Sequence, residues 1–452
     1  MDFRNKRVLV LGLGLHGGGV GTVKFFARRG ADITVTDVRS KKELAPSLEA
    51  LRSLKGIRYV LGKHREQDVL AADLIIKNPG VPQESPYLAL AAAHRVPVTS
   101  DIGIFFAECP GRIIGVTGTR GKSTTAYLIW KFLKTVYRRV FLGGNIRVSV
   151  LEFLDKTRSG DILILELSSF QLEDIAKDDL LRASAGRRSP DIAVITNILK
   201  DHLNRHRTMA AYAAAKAAIF QFQKRTDHLF INREDARVRR LVKRARSRVH
   251  FVSLPNVLKP IVERNLGTHY LSSVALACAV AKHFGVNPGS LKKILGSFRG
   301  LEGRQQTIAA WRGVQWINDT TSTVPDAAVA ALKRLGAHAR LRKIILIAGG
   351  QDKNLDFRAM ARAIKKWAKC LVLFPGSATE KIEKELGTWS REHGTRQARS
   401  MREAVRVAAL LAEPGDRVIL SPGAASFGLF LNEFDRGARF IAEVARLREK
   451  GR

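Results

Sequence analysis

Residues 112–133 read R-I-I-G-V-T-G-T-R-G-K-S-T-T-A-Y-L-I-W-K-F-L. An apolar run, a short glycine-bearing loop and a helical stretch follow one another, so the segment predicts strand, phosphate loop and helix. Gly118, Thr119 and Gly121 would form the loop, with Lys122, Ser123 and Thr124 opening the helix. Lys122 can place a point charge on the β and γ phosphates, and the Ser123 hydroxyl can reach a Mg²⁺ ion. The strict G-x-x-x-x-G-K-[ST] pattern needs glycine at 116, where Val116 stands, so the loop is of a variant type.

Working outward, the same alternation recurs on both sides. Residues 7–37 read as strand, glycine loop with Gly12, Gly14 and Gly17, helix around Val23–Arg29, and a strand closing at Asp37. Glycines there permit a tight turn and a close approach of backbone N–H groups to phosphate, and an acid some 20 residues on suits a ribose hydroxyl. The pattern alone allows a dinucleotide site or a plain glycine turn. Downstream, I-L-I-L-E-L-S-S-F-Q-L-E carries Glu166 at the end of a buried strand, and I-A-V-I-T-N-I-L-K-D-H-L carries His202 just past another. Open α/β sheets bind ligands at such strand ends. After Gly300, four strand-then-polar-loop units around Asp319, Lys353, Phe374 and Ser426 predict a second Rossmann-like domain. The fold class is α/β, with a Rossmann-like N-terminal domain over 1–109. A central phosphate-loop domain with a mostly parallel sheet spans 110–299, and a C-terminal domain spans 300–452.

Composition agrees with large cores: 45% hydrophobic and 26% charged residues in 452. No apolar run has the length of a membrane span, and the N-terminus does not resemble a secretory signal. Cys109, Cys278 and Cys370 are scattered without a Cys-x-x-Cys pair, which points to a reducing cytoplasm. Lys and Arg total 77 against 41 Asp and Glu, a formal +36. Such a balance attracts polyanions, which leaves a nucleic-acid-binding NTPase as a second reading. Against it, the densest basic stretch, Arg233–Arg248, interleaves no aromatic residues for base stacking and reads as an amphipathic surface helix.

The motifs taken together resemble the Mur ligases, ATP-dependent amide ligases of peptidoglycan synthesis. The resemblance rests on G-T-R-G-K-S-T at 118–124, G-G-N-I at 143–146, E-L-S-S-F-Q-L at 166–172 and T-N-I-L-K-D-H-L-N-R-H at 196–206. A-A-K at 214–216, G-L-E-G-R at 300–304 and the loops around 319, 353 and 426 complete it. It implies the three-domain Mur ligase architecture. The order of motifs favours D-glutamate as the incoming amino acid and UDP-N-acetylmuramoyl-L-alanine as its acceptor, with another amino acid as the alternative. ATP would activate the acceptor carboxylate as an acyl phosphate, with Mg²⁺ at two sites. The expected state is a cytoplasmic monomer.

The resemblance also implies roles. Lys122 and Ser123 would take the ATP phosphates and the first Mg²⁺, and Glu166 and His202 would hold or orient the second. Lys216 falls where a carbamylated lysine is expected. Asn145 would contact the UDP-linked substrate, and Gly12, Gly14, Gly17 and Asp37 would cradle its UDP. Arg304 and Asp319 would touch the nucleotide, and Lys353 and Ser426 the amino acid. Four positions depart from the family pattern: Arg147 after G-G-N-I, His269-Tyr270 with Ser273 in place of H-N-x-x-N, Thr321 for a lysine, and Glu433 for an aromatic residue.

Overall fold

The computed structural model describes residues 1–15, 17–145, 149–178, 180–181, 189–298, 300–336 and 343–450. Arg147, one of the departures above, and the His269 side chain lie outside the described residues. The chain divides into two compact units, residues 1–262 with 270–296, and residues 263–269 with 297–452.

The first unit carries two parallel sheets. In the first, β1 (Arg7–Leu11), β2 (Asp32–Asp37), β3 (Arg58–Leu61), β4 (Leu74–Lys77) and β5 (Val98–Thr99) take the order β3-β2-β1-β4-β5. In the second are β6 (Arg112–Thr117), β7 (Val140–Gly144), β8 (Ile162–Glu166), β9 (Ile192–Ile195), β10 (His228–Asn232) and β11 (Arg248–Val252). Their order is β11-β10-β9-β6-β8-β7. The inner strands β4, β6, β8 and β9 are almost wholly apolar because helices cover both faces of a parallel sheet. β6 lies between β9 and β8, so the loops after all three strands open side by side.

The two sheets share one apolar core, which runs from Phe25 and Phe26 through Phe105 to Leu165 and Ile219. A buried ion pair also joins them. Lys77 Nζ, at the end of β4, donates to Asp174 Oδ1 on helix Ser169–Lys177 at 2.7 Å, and both side chains are about 95% shielded. Burial pushes the Asp174 carboxyl up to about 6, against the pull of Lys77. Such a pair contributes more to register than to net stability, because desolvation offsets most of its attraction.

The second unit holds β12 (Gln306–Trp311), β13 (Val314–Asn318), β14 (Ile344–Gly349), β15 (Ala368–Phe374), β16 (Arg396–Gln397) and β17 (Arg417–Leu420). Their order is β12-β13-β17-β14-β15-β16. The four expected strand-then-loop units are β13, β14, β15 and β17. The strand β12 is an addition that runs antiparallel to β13 and makes the sheet mixed. Arg312 (φ 50°) and Gly313 (φ 73°) both sit in the left-handed region, as a two-residue hairpin turn requires.

The basic stretch 233–248 is not one helix. Helix covers Ala236–Leu241, a 3₁₀ turn covers Val242–Arg244, and β11 already begins at Arg248. Asp235 caps the short helix by accepting the Arg237 and Val238 N–H groups. The alternation in R-V-H-F-V then favours the parallel ladder with β10.

Three imidazoles meet where β10 and β11 pack on helix Leu271–His283. The His228 and His250 rings share a 2.9 Å hydrogen bond, and the His283 centroid lies 4.3 Å from that of His228. Partial burial comes first in lowering all three pKa values, His228 to about 4, with the other imidazoles, Arg248 and Arg112 adding to it. A histidine depressed in the fold takes up its proton on unfolding below pH 6.5. Its stabilising contribution is therefore complete above that pH and is lost as pH falls toward 4. Between pH 7.5 and 5.0 the melting temperature of a His228→Phe variant should fall less than that of the parent. Parallel pH profiles would contradict this.

Candidate active site

The loop after β6 is held in shape by the loop after β9. Thr119 N–H donates to Asn197 O at 2.9 Å, Arg120 N–H to Asn197 Oδ1 at 3.0 Å, and Thr196 Oγ1 to Arg120 O at 2.5 Å. Thr119 Oγ1 accepts from Leu199 N–H at 2.9 Å and lies 3.2 Å from the Tyr212 hydroxyl. Two glycines make the approach possible. Gly118 has φ 141°, and a Cβ there would stand 1.9 Å from Thr196 Oγ1. Gly121, at φ 79°, would put a Cβ 2.2 Å from Ser273 Oγ. Helix Lys122–Leu133 starts directly after this turn, so its first N–H groups and dipole face the loop as an anion site.

Two lysines converge on the same loop. Lys122 Nζ donates to Gly118 O at 3.1 Å and to Thr119 O at 3.0 Å. Lys216 Nζ, from helix Met209–Gln221, donates to Gly118 O at 2.8 Å. Lys216 is 1% exposed, and its ammonium lies 4.6 Å from the Tyr212 ring centre. Burial, and then the charge of Lys122, hold its pKa well below the usual lysine range, while Asp201 and Glu166 pull it back up.

Glu166 ends β8 and is buried. Asn145 secures it twice, with its N–H to Glu166 O at 2.9 Å and its Nδ2 to Glu166 Oε1 at 3.3 Å. The other oxygen, Glu166 Oε2, is buried with no hydrogen-bond partner. An unsatisfied carboxylate oxygen beside a phosphate loop fits a hard divalent cation. Among the described residues no three His, Cys, Asp or Glu side chains converge on one point.

His202 (φ 53°) is partly exposed, edge-on to Phe170 at 5.2 Å, with its Nε2 3.6 Å from Asp201 Oδ2. His206, passed over in the sequence although it closes the same motif, is more enclosed. It stacks on Phe170 at 5.5 Å, and its Nε2 lies 2.9 Å from Ser169 Oγ. Burial lowers its pKa.

The N-terminal glycine loop is ordered by Asp37. Its Oδ2 accepts the Leu13 and Gly14 N–H groups at 2.9 and 3.0 Å, and its Oδ1 accepts Arg39 N–H at 2.9 Å. Gly12 (φ 93°), Gly14 (φ 66°) and Gly17 (φ 84°) all use the left-handed region, and Gly17 caps helix Gly18–Arg28.

In the second unit, Asp319 is buried at the end of β13. Its Oδ1 accepts Gln305 N–H at 3.1 Å and its Oδ2 accepts Ser421 Oγ–H at 2.7 Å. Burial pushes its carboxyl up to about 7. Arg304 is half-buried in the adjoining turn. The loops after β14 and β17 pair through Gln351 and Ala425, with N–H···O distances of 3.1 and 3.0 Å. This bridge aligns the loop bearing Lys353 with the one bearing Ser426. Two of the departures, Thr321 and Glu433, lie in this unit. Thr321 is hydrogen-bonded to Gly303 O, and Glu433 O accepts from Thr320 Oγ1. Tyr270 and Ser273 are buried, Ser273 behind the phosphate loop.

Three family models match in chain order: the Mur ligase MurD-like N-terminal domain at 6–100, the Mur ligase middle domain at 116–280, and the Mur ligase glutamate ligase domain at 303–423. A UDP-N-acetylmuramoylalanine–D-glutamate ligase of Roseiflexus sp. is 38% identical over 97% of this chain and 98% of its own length. The chain belongs to the Mur ligase family. A relative of the same name from Borreliella afzelii is 37% identical, covering 97% of both chains. The Mur ligase fold extends to solved structures of low identity. The MurF ligase of Thermotoga maritima in complex with ADP has a TM-score of 0.58 at 17% identity, covering 100% of this chain and 97% of its own. Folylpolyglutamate synthase of Mycobacterium tuberculosis complexed with ADP gives 0.55 at 15%, over 76% and 91%.

The closeness of Gly121 to Ser273 Oγ gives a direct test. Gly121→Ala should lose at least about 1 kcal/mol of stability from the left-handed backbone alone. It should also bind ATP analogues more weakly, and Ser273→Gly should restore part of both losses. Equal melting temperature and nucleotide affinity in Gly121→Ala and the parent would contradict this geometry.

Proposed function

We propose that the chain is the ADP-forming amide ligase that joins D-glutamate to UDP-N-acetylmuramoyl-L-alanine in peptidoglycan synthesis. It acts as a monomer in the cytoplasm. The observation that carries this is the phosphate loop braced against buried Glu166 and Lys216, in a chain aligned end to end with relatives that bear this enzyme's name.

A carboxylate resists attack by an amine until an oxygen is made a leaving group. The acceptor carboxylate oxygen attacks the γ-phosphorus of ATP, and ADP departs. The amine of the amino acid then attacks the acyl carbon, and inorganic phosphate leaves. Catalysis is largely positioning and charge neutralisation. Lys122, now bonded to the carbonyls of Gly118 and Thr119, turns to the β and γ phosphates when they arrive. Ser123 and Glu166 Oε2 would supply oxygens to Mg²⁺, with His202 orienting the second ion. Mg²⁺ bound there offsets the charge of the phosphates. Asn145 holds Glu166 and borders the acceptor. The loop of Gly12, Gly14 and Gly17, fixed by Asp37, would cradle the UDP. Arg304 and Asp319 serve the nucleotide, and Lys353 and Ser426 the amino acid.

Lys216 works best as a carbamate. A neutral amine attacks CO₂ through its lone pair, forming an N–C bond and releasing one proton, and burial beside Lys122 favours the neutral amine. The product is an anion with oxygen donors suited to Mg²⁺. Lys216→Ala should lose about two orders of magnitude in kcat, and added short carboxylic acids should restore part of it. Full activity without additives would remove this role.

The reaction itself is tested by phosphate release from ATP with UDP-N-acetylmuramoyl-L-alanine and a panel of D-Glu, L-Glu, D-Asp and neutral amino acids. D-Glu should give the highest kcat/KM. A preference for a neutral amino acid would show that Thr321 and Glu433 had redirected specificity.

A further inference from the structure

The second unit contains a buried cation whose hydrogen-bond partners are all neutral. Arg436, on helix Glu433–Lys450, is 1% exposed. Its Nε donates to Thr320 Oγ1 at 3.2 Å, its Nη2 to Thr320 O at 2.8 Å, and its Nη1 to Ala424 O at 3.3 Å. Every partner is a neutral oxygen. Among the described residues no carboxylate stands within ion-pair distance of the guanidinium. Burial lowers its pKa to about 10 against the pull of the Glu433 and Asp319 carboxylates, so it stays charged at neutral pH.

Removing a guanidinium from water without a hydrogen-bonded counter-ion is costly, and arginine is rarely placed so unless it is paired or an anion arrives. The place where this one sits gives the cost a use. Thr320 belongs to the loop after β13 and Ala424 to the loop after β17, and these strands are neighbours in the sheet. Ligands of open α/β sheets bind outside such strand ends. Thr320 Oγ1 in turn donates to Glu433 O at 2.5 Å, which ties the start of the helix to the same loop. Ala425, the next residue after Arg436's carbonyl partner, makes the bridge to Gln351 that aligns the Lys353 loop with Ser426. Gly437 follows immediately, and a Cβ there would stand 2.6 Å from Thr320 Cγ2, so the helix is pressed onto this loop.

We infer that Arg436 is a positioning and specificity residue of the amino-acid site, a second fixed cation beneath the loops that receive a dicarboxylate amino acid. It rests on the assignment of that site to Lys353 and Ser426. A dicarboxylate brings two negative charges, and Lys353 supplies one cation. Thr321 stands at the position where the family pattern has a lysine, and its hydroxyl is already bonded to Gly303 O. Arg436 supplies the missing charge from inside the fold. It holds the carbonyls of Thr320 and Ala424 inward, which fixes the two loops against each other. In a low-dielectric interior its field is screened little by solvent.

Steady-state kinetics on the full chain separate this from a purely structural role. Arg436→Met, Arg436→Lys, Lys353→Ala and Ser426→Ala are compared for KM toward D-glutamate, ATP and the UDP-linked acceptor, for kcat, and for melting temperature. Arg436→Met should raise KM for D-glutamate about tenfold or more, with KM for ATP and acceptor within about twofold. Arg436→Lys, which keeps the charge but loses the fork, should recover part of the affinity. It also carries the test if the Met variant does not fold. An unchanged D-glutamate KM in a folded Arg436 variant overturns the inference, and so does a parallel rise of all three KM values. If Lys353→Ala and Ser426→Ala also leave the D-glutamate KM unchanged, the placement of the site itself fails. If they raise it and Arg436→Met does not, only the role of Arg436 falls.

Discussion

One carbonyl, that of Gly118, receives hydrogen bonds from two lysines, Lys122 at 3.1 Å and Lys216 at 2.8 Å. Two ammonium groups at one buried acceptor repel strongly, and solvent reaches Lys216 too little to relieve them. Burial and the charge of Lys122 together push the pKa of Lys216 down. The loop geometry, the sequestered Lys216 and the acidic surroundings from Glu166 and Asp201 are therefore parts of a single electrostatic arrangement. Gly118 is bound to it sterically too, since only a residue without Cβ clears Thr196.

A second pattern runs through both units. Acids at strand ends, which invite a ligand role when read as letters, are spent on the backbone instead. Asp37 gathers three N–H groups around the first glycine loop, and Asp319 ties Gln305 to Ser421. Each holds its loop in one conformation. Glu166 is the exception, because one of its oxygens remains unsatisfied inside the fold. The sheet thus supplies rigid positions and the carboxylates supply loop shape, while the positive charges gathered at the loop after β6 come from lysine.

Much of this was legible in the sequence. The strand–loop–helix order around 112–133 and the strand ends at Glu166 and Asp319 follow from apolar runs broken by glycine and polar residues. The hairpin at 311–314 was missed because its turn, Arg-Gly, lacks the usual Asn or Asp. The basic stretch misled for a different reason. Eight cations mask a change from helical to alternating period at Arg248 that only the ladder with β10 decides. Pairings between distant segments, Lys216 with Gly118 or Arg436 with Thr320, carry no local signature at all. They exist because the topology brings the ends of non-consecutive strands together.

The hairpin that the sequence concealed has a consequence for life in solution. A mixed sheet has two borders, and an uncovered border is a template on which another chain can add a strand. Here one border is β12, bent by an irregular register between Thr307 and Ala309, and the other is β16, only two residues long and begun by an arginine. The second sheet of the first unit is bordered by β11, which opens on Arg248 at the end of the arginine-rich stretch. Short, kinked or cationic borders repel their own copies. A chain with a formal charge of +36 therefore carries its protection against fibrous self-association at its sheet edges as well as in its overall charge.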